Sequence, residues 1–441
     1  MKATLVLVTL WGMLSCLSLA EVGAAESGHP AKITVNGKSY AWPKAPVVVI
    51  CLDGGDPEYF RGAFAKGLLP NIRGIMAQGY ATVAEGVLPS FTNPNNMSIV
   101  TGTPPAIHGI SGNYFLNPVT GKEVMMNEPE LLRVDSILAA FSQQGAKVVV
   151  ITAKDKLRKM LSYHVNGGIK FSSEKADKCT REEHGLADCL AYVGRPLPGV
   201  YSADLSLFVL DAGIKILAQE KPDLMYLSLT DYVQHKYAPG SREANAFYEA
   251  LDTDIGALSR AGALVAITAD HGMNDKSTAD GSPKVIYLQD VLDAKFGKGK
   301  TKVILPITDP YVVHHGALGS FATVFFREQV SGNDVLDVIK ALKGVELALD
   351  RNDAVKRFDL PGDRIGDLIV VSDQGTVIGA KKENHDLTQL KGMRLRSHGG
   401  IADQKVPFIL SSPLTPEYAA IAGSRTLRNF DIFDFALNGV K

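Results

Sequence analysis

The stretch LVAITADHG, Leu264–Gly272, opens as an apolar and β-branched run and then sets an acid beside an imidazole, Asp270 and His271, ahead of a glycine. A strand with no polar alternation is buried on both faces, as in a parallel sheet covered by helices. Three further runs have the same character: APVVVICLDG (Ala45–Gly54), AKVVVITAKDK (Ala146–Lys156) and DLMYLSLTD (Asp223–Asp231). Helix-like stretches such as VDSILAAFSQQG (Val134–Gly145) and LSLFVLDAGIKILAQE (Leu205–Glu220) lie between them. The expected class is therefore α/β, a mostly parallel central sheet with helices on both faces.

Three of the four runs finish on an acid, Asp53, Asp231 and Asp270, and the fourth finishes on Lys154 and Lys156. The carboxyl ends of parallel strands share one edge, where open sheets carry their chemistry. Three carboxylates at one edge repel and need a cation. Histidines stand beside them: His235 four residues after Asp231, His271 next to Asp270, and His398 in RSHGG (Arg396–Gly400), ahead of two glycines that let backbone turn around a ligand. Mixed imidazole and carboxylate donors suit two Zn2+ ions, ahead of Mn2+ or Fe2+.

Metal pairs of this kind activate an oxygen nucleophile against phosphorus. Thr92, in VLPSFTNPNNMSIVTG (Val87–Gly102), sits before a helix expected to begin near Asn95 or Asn96, with Ser90 as its neighbour. A helix N-terminus there would favour an alkoxide and an incoming anion. An N-cap threonine is the plain alternative. AKFGKGKT (Ala294–Thr301) lacks the first glycine of a phosphate-binding loop and reads as a charged surface turn.

Composition bounds the rest. The 441 residues carry a net charge of −1, and the isoelectric point is near 6.8. Neither nucleic acid nor an anionic membrane surface is an expected partner. Residues 1–25 read as a signal peptide, with Lys2 ahead of the apolar run TLVLVTLWGMLSCLSLA (Thr4–Ala20). Export would place the protein in the periplasm or outside the cell, with no stable membrane association once the leader is removed. Cys16 sits in a poor lipoprotein context because Leu14 occupies a small-residue position. Of the remaining cysteines, Cys51 lies in an apolar run, while Cys179 and Cys189 could close a polar loop as a disulfide. Between residues 306 and 375 a strand-helix-strand-strand unit reads as an inserted α+β cap, flanked by a core of residues 44–305 and 376–441. His314 and His315 of the cap are candidates to face substrate, whereas His29, His108, His164, His184 and His385 read as structural or solvated. A homodimer is open.

Asp53, Thr92, Asp-x-x-x-His, Asp-His-Gly and a late histidine together resemble the alkaline phosphatase superfamily. ITVNGKSYAWPKAPVVVICLDG, PSFTNPNNMSIVTG, GISGNYF, ITAKDKL and SHGG are similar to segments of the phosphonoacetate hydrolases within it, over about Ile33 to the C-terminus. The resemblance implies an alkaline phosphatase-like core in which Asp231, His235 and His398 hold one zinc and Asp53, Asp270, His271 and Thr92 the other. It implies a small anionic phosphonate as substrate, cleaved through a Thr92 phospho-enzyme. Asn113 would bind the phosphoryl group, with Lys154, Lys156 and His235 also contacting substrate. Two other readings stand beside it. One is a phosphodiesterase or nucleotide pyrophosphatase with the same ligands, which would need aromatic faces to stack a base. The other is a non-catalytic secreted metal- or phosphonate-binding protein, against which an intact Thr92 argues.

Overall fold

The structure is a computed structural model that describes residues 29–307, 316–327, 330–390 and 392–441. Residues 1–25 with Cys16, read above as a signal peptide, and His314 and His315 lie outside the described residues.

Seven strands form the central sheet. In chain order they are β1 (Val47–Cys51), β2 (Tyr80–Glu85), β3 (Val148–Thr152), β4 (Ile169–Ser172), β5 (Leu224–Ser228), β6 (Leu264–Thr268) and β11 (Lys405–Leu410), after four strands of a second sheet introduced below. Their spatial order is β2-β11-β6-β1-β5-β3-β4. The pairings β6-β1, β1-β5, β5-β3 and β3-β4 are parallel. Those of β11 with β6 and β2 are antiparallel, which makes the sheet mixed but mostly parallel, as expected. Every residue of β1, β3 and β5 is buried, and alternate residues of a strand face opposite sides, so both faces are covered. Among the covering helices, Asp204–Glu220 and Arg242–Arg260 pack on each other and Ile432–Asn438 packs on β1 and β6.

The second sheet runs β7 (Thr301–Ile304), β8 (Phe321–Phe326), β10 (Leu368–Ser372) and β9 (Val345–Asp350) in spatial order, all antiparallel. Its own apolar cluster includes Leu292, Val324, Ile339 and Val370, with Phe91 and Leu88 reaching in from the loop before Thr92. Thus the segment that presents Thr92 is clamped between two cores. The first of these strands begins before Pro306, inside the AKFGKGKT segment, whose lysine-rich turn leads directly into it. Among the described residues, no helix is long and apolar enough to cross a membrane.

Candidate active site

The carboxyl ends of β1, β3 and β5 open into one cleft. Asp53, Thr92, Asn113, Lys154, Lys156, Asp231, His235 and His398 all line it. Asp270 and His271 lie beneath its floor, both with no exposed surface.

Each is positioned by local chain geometry. Asp53 follows β1 by two residues, and Gly54 after it takes a φ of +67° beside Asp231, where a Cβ would come within 3.0 Å of the Asp231 Cβ. Asp231 precedes the short helix Tyr232–Lys236, whose turn returns the His235 imidazole to it, Nε2 to Oδ2 at 2.8 Å. His398 approaches through Gly399, at φ +123°, where a Cβ would strike the Phe91 ring at 2.5 Å.

The helix carrying Thr92 runs Thr92–Thr101, so it begins three to four residues earlier than the sequence suggests. Pro94 is the cause of the misreading. It looks like a break, yet within the first turn its missing N–H has no intrahelical role. The N-cap is Phe91, which removes the capping role for Thr92 and leaves its side chain at the helix start. Ser90 faces elsewhere, donating its hydroxyl to the Gly400 carbonyl at 2.9 Å.

The three histidines share one device. His235 Nδ1 meets the Arg396 carbonyl at 2.8 Å, His271 Nδ1 the Gly272 carbonyl at 2.9 Å and His398 Nδ1 the Ser90 carbonyl at 2.7 Å. A carbonyl only accepts, so each Nδ1 carries the proton and each Nε2 presents a lone pair inward. Imidazoles that bind metal are held in this way. His271 and His398 stack with centroids 3.5 Å apart.

Two groups of donor atoms result, each within 4.8 Å of one another: Asp231, His235 and His398, and Asp53, Asp231 and His271. Asp231 belongs to both. Asp270 stands close by, its Oδ2 3.6 Å from His271 Nε2, while its Oδ1 accepts from the backbone N–H groups of Gly54 and His271. Asp53 Oδ1 and His271 Nε2 are buried, lack hydrogen-bond partners and face each other at 3.3 Å. Two lone pairs enclosed together call for a cation between them, so the residues present fit a divalent metal ion.

The electrostatics agree. Burial, with Asp231 and Asp270 nearby, raises the Asp53 carboxyl well above its usual range. Burial also pushes Asp270 up to about 7. Burial, then His271 and His235, keep His398 from protonating.

Across the cleft stand the cations. Lys154 is 9% exposed and its Nζ donates to the Val200 carbonyl at 3.1 Å. Burial lowers its pKa, with Glu174 and Asp231 opposing. Asn113 accepts the Asn93 N–H at 2.8 Å through Oδ1, which turns its amide N–H2 toward the cleft.

Sequence reasoning missed several contributors. Tyr201 and Tyr232 line the lysine side, 6.1 Å apart, with Lys154 Nζ 5.5 Å from the Tyr201 centroid and Lys236 Nζ 4.9 Å from that of Tyr232. Nothing in the loop around Tyr201 marks it as a cleft residue. Asn96 donates to Asp270 Oδ2 at 3.3 Å and to the Thr92 carbonyl at 3.0 Å, joining helix and acid. The clustered asparagines of NPNN, Asn93–Asn96, were the available signal, since buried amides in a helix need specific partners. The other histidines are held away from the cleft, with His108 on Ser98, His164 on Asp135, His184 on the Thr180 N–H, His385 between Gly316 and Ala380, and His29 stacked on Trp42. Cys51 is a buried thiol and Cys179 is bonded to Cys189.

Comparison with known proteins places these features. A family model described as type I phosphodiesterase / nucleotide pyrophosphatase matches residues 47–400. Phosphonoacetate hydrolase from Sinorhizobium meliloti, solved with phosphonoacetate and with phosphonoformate, is 51% identical with a TM-score of 0.88, over 92% of this chain and 98% of that one. Murine ectonucleotide pyrophosphatase / phosphodiesterase 5 shares the fold at 18% identity and a TM-score of 0.59, over 88% of this chain and 93% of that one. An uncharacterised pyrophosphatase/phosphodiesterase of Schizosaccharomyces pombe is 36% identical over 88 residues, 20% of this chain and 17% of that protein's length.

Proposed function

The chain belongs to the type I phosphodiesterase / nucleotide pyrophosphatase family of the alkaline phosphatase superfamily, and from that premise we propose that it hydrolyses the carbon–phosphorus bond of phosphonoacetate to acetate and phosphate. The observation that carries this reading is the presence of Lys154 and Lys156 in the same cleft as Thr92 and the donor groups. A substrate anionic at both ends needs positive charge at both ends, which the two lysines would supply at one and metal ions held by the donor groups at the other.

In this reading Asp231, His235 and His398 would hold one zinc, and Asp53, Asp270, His271 and Thr92 the other. Bound there, the ions would supply positive charge that lowers the pKa of an oxygen nucleophile and draws a phosphoryl group in. Thr92 Oγ1 attacks phosphorus from the helix start, and a phosphothreonine forms as the carbon–phosphorus bond breaks. The electron pair leaves with carbon as the enolate of acetate, stabilised by the ammonium groups of Lys154 and Lys156, and a proton then restores acetate. Asn113 donates from its amide nitrogen to a phosphoryl oxygen. Water hydrolyses the phosphothreonine and releases phosphate.

A phosphodiester reading draws on Tyr201 and Tyr232, whose rings are what a base would stack upon. Lysine ammonium groups lie over both rings, which favours a small carboxylate in that space. The deciding assay is phosphate release from phosphonoacetate by zinc-loaded protein, beside a phosphodiester and a chelator-treated control. Chelator-sensitive release from phosphonoacetate is expected, and hydrolysis of the diester alone would overturn the proposed substrate. We also propose a periplasmic or secreted location, supported by the apolar run after Lys2 and by the Cys179–Cys189 bond, which suits an oxidising compartment. Cell fractionation that found the protein in the cytoplasm with its leader uncut would overturn it.

A further inference from the structure

Arg396 is 6% exposed, and among the described residues it forms no ion pair with a carboxylate. A buried guanidinium so placed is costly unless its protons are spent on well-aimed acceptors. Here they are: Nε donates to the Gln234 carbonyl at 2.8 Å, while one terminal nitrogen donates to the Met273 carbonyl at 3.1 Å and meets the Tyr59 hydroxyl at 3.2 Å. Gln234 precedes His235 in the chain, and Met273 follows His271 by two residues. Arg396 itself precedes His398 by two, and its own carbonyl takes the proton of His235 Nδ1.

One residue therefore touches all three histidine-bearing loops. The backbone already joins two of them, because Arg396–Ser397 pairs antiparallel with Asn274–Asp275. The His235 helix lies outside that ladder. It is tied to the other two through the Arg396 side chain on Gln234 and the Arg396 carbonyl on His235.

We propose that Arg396 is a positioning residue, a fork that sets the separation of His235, His271 and His398 and so the shape of the metal site. The proposal rests on the reading that these histidines bind metal. A lysine could not replace the fork, since a single ammonium lacks the planar spread of donors that spans two carbonyls in different loops.

The test is zinc affinity of the full mature protein, measured against a competing chelator for wild type, Arg396→Lys and Arg396→Met, with the visible spectrum of the Co2+-loaded forms recorded alongside. Both variants should bind zinc about 10- to 100-fold more weakly and show an altered cobalt spectrum, while their circular dichroism stays that of the wild type. Wild-type affinity and an unchanged spectrum in a folded variant would overturn the proposal. So would failure of both variants to fold with zinc present, because Arg396 would then be a fold determinant. If the wild-type protein itself binds no zinc, it is the reading of the metal site that fails, and the two outcomes are distinct.

Discussion

The two walls of the cleft are built on different terms. On the inner wall Asp53, Asp270 and His271 are 5%, 0% and 0% exposed, and backbone N–H and carbonyl groups fix Asp270 and His271. On the outer wall Lys156 is half-buried, Tyr201 is 48% exposed, and Lys154 is steadied by a loop carbonyl. A preorganised, dry wall suits charge that must be handled identically in every turnover. An outer wall of long side chains at two helix starts and on one loop suits the part of a substrate that differs between relatives. On this view phosphoryl chemistry belongs to the inner wall and leaving-group choice to the outer.

Removing the proposed nucleophile should have the largest effect. Thr92→Ala is expected to lower kcat on phosphonoacetate by roughly 10^4-fold or more with zinc retained by Asp53, Asp270 and His271, as phosphate release and metal analysis would report. Substantial turnover by that variant would remove Thr92 from the mechanism. Next comes Asp231, which both donor groups share. Asp231→Asn should cost the ion that this carboxylate would hold, loosen the neighbouring one that it also faces and lower kcat by about 10^2- to 10^3-fold, whereas His235→Ala should cost the first ion alone. A neighbouring ion held equally tightly in the two variants would break the picture of a shared carboxylate.

The outer wall is probed by Lys154→Met and Lys156→Met. Each should lower kcat/KM for phosphonoacetate by about 10^2-fold and leave zinc content at the wild-type level. Loss of metal from either would merge the two walls into one. The inner wall also makes a pH prediction for the metal-free protein. Asp270 is raised from 3.8 to about 7 and Asp53 is raised as well, so both bind protons more tightly in the folded state than in the unfolded. That stability is fully present below the unfolded carboxyl value and is lost as pH rises through about 7. Thermal unfolding of chelated protein should therefore show Tm falling across that range, and added zinc should stabilise more at the alkaline end, where no proton competes. A chelated Tm that rose across the same range would contradict burial as the dominant cause. The smallest effect on activity is expected from replacing Cys179 and Cys189 together by alanine. Stability should fall by about 2 to 3 kcal/mol in denaturant titration, with kcat unchanged, because that loop touches neither wall.

The strands and the acids at their ends were legible in the sequence because a covered parallel strand must be apolar throughout, and its carboxyl end must break that pattern. Asp53, Asp231 and Asp270 stand at such breaks. His235 was legible through its four-residue spacing, which a helical turn converts into contact. The helix start at Thr92 was misread because Pro94 signals a break locally, while the packing of Phe91 into the second apolar cluster fixes the turn from outside. Composition and periodicity carry information only between residues close in the chain. Tyr201 entering the cleft, Asp231 serving two donor groups and Arg396 joining three loops all depend on residues far apart in sequence. The sequence by itself determined the α/β class, the acids at one edge and the candidate nucleophile. The tertiary structure alone decided which lone pairs face one another, because that depends on which backbone carbonyl each histidine meets across the fold.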